Sequence, residues 1–150
     1  MGNRATCFFT VGGRISAADF GSLAETIAFY DLSTDWDGEP FDPAAWSGLA
    51  PLHVYATEIN NGEVPELEAF CLNAHLPFRR ISGGCTGAYG AEIVVCHGDE
   101  DLRRFAADED GDLVFAADTV MAVPSLAILQ DAVRFARRDI PPLLVDGNAA

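Results

Sequence analysis

Short β-prone apolar runs alternate along the chain with stretches in which apolar residues recur every three or four positions. Thr6-Cys7-Phe8-Phe9-Thr10-Val11, closed by Gly12-Gly13, predicts a buried first strand. Ser16-Ala17-Ala18-Asp19 has capping-box spacing, with the Ser16 hydroxyl placed to receive the Asp19 amide. Phe20, Leu23, Ala24, Ile27 and Ala28 follow at helical spacing and predict a helix of about four turns. Leu52 to Ile59 predicts a second strand, and Asn60-Asn61-Gly62 a turn. A helix follows from about Glu63 to His75. Pro65 suits its first turn, its early glutamates face the positive end of the macrodipole, and Leu67, Phe70, Cys71 and Ala74 point inward. Pro77 stops it.

The second half reads as Phe78–Ser82 and Glu92–Cys96, two strands on either side of the glycine-rich segment Gly83–Gly90. Leu102–Ala106 and Leu113–Ala116 flank Asp108-Glu109-Asp110-Gly111, a hairpin signal. A short turn is expected at Asp118–Met121. Ser125 opens a last helix through Arg138, with Leu126, Leu129, Val133 and Ala136 inward and Arg134, Arg137 and Arg138 at its negative end. Leu143-Leu144-Val145 predicts a final edge strand. This order implies one α+β domain over residues 1–150. Its expected form is a single mixed β-sheet of six or seven strands with about three helices packed mainly on one face. Strands joined through helices are expected to lie parallel, and the central run to form an antiparallel meander.

Composition narrows the class. Apolar residues make up 49% of the 150-residue chain and charged residues 21%, which excludes a disordered polymer. Four cysteines exclude a disulfide-built miniprotein, and with no export signal they suit a reducing cytoplasm. No charge-free stretch is long enough for a membrane span. Every basic residue is an arginine and the net charge is −14, which argues against direct binding to a nucleic-acid backbone. The acidity is blocked. Asp31 to Glu68 holds nine carboxylates and no arginine, and Asp99 to Asp118 holds eight against Arg103 and Arg104. Such a field suggests a mimic of DNA charge that occupies the site of a basic protein, although solvated loops account for it as well.

Chemistry-bearing residues gather in two places. The connection from Asp31 to Gly48 carries both tryptophans, Trp36 and Trp46, with turn chemistry at Asp37-Gly38; it is either a contact loop or a plug packed by its own aromatics. Gly83-x-Cys85-x-Gly87 has nucleophile-elbow spacing, with His97 or Glu92 as conceivable partners, but a strand rather than a helix follows it. The same loop, preceded by Arg79 and Arg80, is a weak candidate anion cradle. Cys71, His75, Cys96 and His97 lack the paired knuckles of a zinc site. The two Asp-Gly turns lack the closing glutamate of a calcium loop. No metal and no cofactor is expected.

Asp35-Trp36-Asp37-Gly38-Glu39-Pro40-Phe41, the run Leu67–Cys71 leading to Leu76-Pro77-Phe78, and Phe105–Gly111 resemble segments of small acidic proteins of GC-rich proteobacteria. Such proteins are often plasmid- or phage-associated and have no known activity; the resemblance implies an accessory protein of a mobile element. The leading expectation is therefore a non-enzymatic interaction protein that binds an unidentified protein partner. Its expected contact surface is the 31–48 connection beside the 83–90 loop, with Trp36, Asp37, Trp46, Arg79, Cys85 and Tyr89 as binding residues. The alternatives are the DNA mimic and a cysteine-dependent enzyme centred on Cys85.

Overall fold

The computed structural model describes residues 4–34, 40–85 and 90–146. Its elements in chain order are β1 (Arg4–Val11), β2 (Gly13–Ser16), α1 (Ala17–Phe29), a 3-10 turn (Pro43–Ala45), β3 (Leu52–Asn60), α2 (Pro65–Asn73), β4 (Phe78–Ser82), β5 (Ala91–Cys96), β6 (Arg103–Ala107), α3 (Ala117–Ala122), α4 (Leu126–Arg137) and β7 (Leu143–Asp146). Five strands form one sheet in the order β3-β1-β4-β5-β6, and β2 pairs with β7 in a separate two-stranded sheet. The α+β class holds. The single mixed sheet is corrected: all neighbours in the large sheet are antiparallel, and the parallel pairing lies in the small one.

Counting traverses explains the correction. Val11 at the end of β1 faces Leu52 at the start of β3. Between them α1 carries the chain toward the Arg4 end, where Tyr30 meets Glu66. The 31–51 connection then brings it back: Ser33 bridges Tyr55 midway along β3, and the Trp46 indole reaches Leu143 beside β2. A helix plus a return connection makes two traverses, so β1 and β3 run antiparallel. From β3 to β4 the chain makes one traverse, through α2. Those two strands run the same way with β1 inserted between them.

One face of the sheet carries the main core. Cys7, Phe9, Val11, Val54, Phe78, Val94 and Cys96 pack against Phe20, Leu23 and Ile27 of α1 and Leu67 and Cys71 of α2. Phe9 and Phe78 stack across β1 and β4 with centroids 5.3 Å apart. The expected Ser16 cap of α1 is present, with Oγ accepting the Asp19 amide at 3.0 Å. Both helices end alike. Asp31 and His75 take a left-handed φ of 57°, and the next residues, Leu32 and Leu76, donate to the carbonyls of Ile27 and Cys71. Both leucines are buried, so each helix end is stapled into the core.

The other face carries α4. Phe135 and Ala136 pack on Ala91, Ile93, Val95 and Ala107. Two further expectations change here. The 108–112 turn forms, with the Asp108 carboxylate accepting from the amides of Asp110 and Asp112, but its second arm makes only the bridge Ala107–Leu113. Leu126, Leu129 and Val133, expected inward on α4, are not in the buried set; Ala132, Phe135 and Ala136 are.

Candidate functional site

Alternation along β4 sends Arg79 and Arg80 to opposite faces, and the two have different fates. Arg80 enters the main core and is 1% exposed. Its Nε donates to Glu68 of α2, one Nη donates to the Gly62 carbonyl (3.1 Å) and to Ser82 Oγ, and the other donates to Glu92 Oε1 at 2.8 Å. Arg104 reaches the same Glu92 oxygen at 3.3 Å, and Ser82 donates to the Gly62 carbonyl at 2.5 Å. Burial pulls the Arg80 pKa down, but the Glu68 charge and the bonds to both carboxylates outweigh it, so the net shift is upward. Nearby, burial pushes the Cys7 thiol up to about 12. Burial likewise raises Cys71 and Cys96. These three are thiols rather than thiolates at neutral pH. The cluster is closed and satisfied, a tie between α2, the 60–62 turn, β4 and β5. Sequence reading missed it, although Glu68 lies one turn before Cys71 on the inward side of α2.

Arg79 serves the opposite face. It donates to the carbonyls of Ala136 (3.1 Å) and Arg138 (3.0 Å), so it caps the C-terminus of α4 instead of lining a ligand site. Burial lowers its pKa, and Asp139 partly offsets that. Trp46 is half-buried, donates its indole N–H to the Leu143 carbonyl at 3.0 Å and meets Phe41 edge-on, so it belongs to a plug. Trp36, Asp37 and Tyr89 lie outside the described residues.

Cys85 is half-buried with a free thiol. The chain entering its loop is fixed: Gly83 donates to the Thr6 carbonyl at 3.0 Å, and Gly84 donates to Glu109 at 3.1 Å. A Cβ at Gly83 would meet Thr6 Oγ1 at 2.6 Å, which explains the glycine. The residues considered as partners for Cys85 are engaged elsewhere. Glu92 holds Arg80 and Arg104. His97 follows the far end of β5 and contacts the Phe135 carbonyl through Nε2 at 2.8 Å. The Cys85 loop adjoins Thr6, whereas Trp46 lies beyond Val11, so five residues of β1 separate them, about 17 Å at the strand rise. Trp46 and Cys85 therefore do not share the contact surface expected of them. No group of three His, Cys, Asp or Glu suited to a metal occurs among the described residues.

An open apolar surface lies on α3 and α4. Pro124 breaks the helical run, since the residue before proline avoids the α-region, and Val123 has ψ 139°. The C-terminal end of α4 is pinned by the two Arg79 bonds, by His97, by Arg138 donating to Glu100 at 2.5 Å, and by the Arg103 guanidinium 4.5 Å above the Phe135 ring. The N-terminal end has no side-chain cap bond. There Phe115, Leu126, Leu129, Gln130, Val133 and Arg134 line a groove of about 440 Å³. Leu126 is 66% exposed, and Met121 of α3 is 84% exposed. The spacing 126, 129, 133, 136 is the a/d repeat of a helix-on-helix seam. Its last member is buried on the sheet, Leu129 and Val133 are half-buried, and Leu126 is exposed. No helix among the described residues is long and apolar enough to cross a membrane. No protein-family model, curated protein or solved structure matches the chain.

Proposed function

We propose that the protein is a non-enzymatic interaction protein that receives an apolar helix of a protein partner on the α3–α4 face. One observation carries the reading: α4 is bonded to the sheet at one end and presents a helix-packing seam to solvent at the other. Apolar patches of this size on folded chains are commonly functional. The engagement of Glu92, His97 and Arg79 in the fold removes the support that those residues lent to chemistry or anion binding at the glycine loop.

The test has two arms. Leu126→Glu is expected to leave unfolding free energy within about 0.5 kcal/mol of the parent, as for other exposed positions. A photoreactive residue at position 129 is expected to crosslink a protein in the native cell, and one at exposed Glu25 of α1 is not. Unfolding of the Leu126→Glu variant, or equal labelling from both positions, overturns the reading.

A further inference from the structure

We infer that the helix received by this face is α4 of a second copy of the chain, docked about a two-fold axis; the inference rests on the reading of the face above. Two observations select this occupant. The first is area. A standard interface covers about 800 Å² on each partner, somewhat more than half of it apolar. Val120, Met121 and Leu126 are 45%, 84% and 66% exposed, and with half-buried Phe115, Leu129 and Val133 of the groove they offer on the order of 400 Å² of apolar surface, close to the share that such an interface requires.

The second is charge. A chain of net charge −14 repels its own copy over most of its surface. The block from Asp31 to Glu68 and the block from Asp99 to Asp118 would set carboxylates against carboxylates. From Thr119 to Arg138, in contrast, Asp131 is the one carboxylate and stands against Arg134, Arg137 and Arg138. Asp131 is bonded to Arg134 at 2.7 Å. All of the apolar face except Phe115 thus falls in the stretch where like-charge repulsion between two copies is weakest. The charged side chain lining the groove is Arg134, so the groove holds no carboxylate to draw a basic partner.

A two-fold axis makes the contact self-complementary and closes it at two copies. The two α4 helices then cross antiparallel, with Leu126, Leu129 and Val133 of each filling the seam. Because the acidic blocks, Phe115 apart, lie outside the contact and still repel, added salt tightens the association. Capture of a basic partner by the acidic blocks has the opposite dependence.

Sedimentation velocity of the full chain reads this directly. The parent chain is expected to pass from 16.0 kDa to twice that mass as its concentration rises. The midpoint is expected to fall several-fold between about 0.05 and 0.5 M sodium chloride. The Leu126→Glu, Leu129→Glu variant is expected to stay at single-chain mass, with an unchanged circular dichroism spectrum. If that variant does not fold, Met121→Arg, at a side chain 84% exposed, is expected to weaken the dimer at least tenfold. A parent chain of single-chain mass at every concentration, or a dimer that neither substitution weakens, overturns the inference. A single-chain mass together with a position-129 crosslink to a different protein overturns self-association and leaves the interaction face standing.

Discussion

The two faces of the sheet are held by different means. The face under α1 and α2 is closed: its apolar side chains interlock, its helix ends are stapled by Leu32 and Leu76, and its one buried arginine is matched by carboxylates and a carbonyl. The face under α4 is closed at one end only. Phe135 and Ala136 dock, polar bonds from Arg79 and His97 hold the helix C-terminus, and the seam beyond them opens through half-buried Val133 and Leu129 to exposed Leu126. A face that satisfies itself specifies the fold, and a face that stops halfway is available for association. The charged cluster lies on the first and the proposed interaction surface on the second, so the most charged interior feature is structural and the open groove is apolar.

Three substitutions or conditions sharpen this contrast. Arg80→Ala has the largest expected effect, a loss of about 3–5 kcal/mol, because it leaves the Glu68 carboxylate buried without its partner. Replacing Arg80 and Glu68 together by methionine should recover much of that loss. Urea unfolding measures both, and a loss under about 1 kcal/mol for Arg80→Ala would show that the closed face does not depend on its ion pairs. Phe135→Ala comes next, at about 3 kcal/mol. Its signature is regional: amide exchange should rise along α4 while α1 and α2 stay protected. Uniform loss of protection would mean that the two faces unfold as one unit.

Alkaline pH has the smallest effect. Cys7 ionises near 9.0 in an unfolded chain and at about 12 when folded. Below pH 9 it is protonated in both states and its contribution to stability is constant. As pH rises from 9 toward 12 the unfolded thiol ionises, the folded one does not, and stability falls. Melting temperature should therefore drop across that window, and Cys7→Ala should flatten the slope. An equal slope in the variant would assign the alkaline loss to groups other than Cys7.

Local pattern alone was enough to place β1, β3, β4 and β5 to within a residue or two, along with the Ser16 cap and the Asp108–Gly111 turn, because each depends on neighbours in the chain. Three things were decided by tertiary structure. The antiparallel pairing of β1 with β3 follows from how far the 31–51 connection travels, which composition does not encode. The division of labour between Arg79 and Arg80 follows from strand alternation only once the core side of β4 is known. The α4 seam reads the same whether it is buried or bare. Helical periodicity fixes which residues share a stripe, and only the reach of the sheet beneath it decides how much of that stripe is covered.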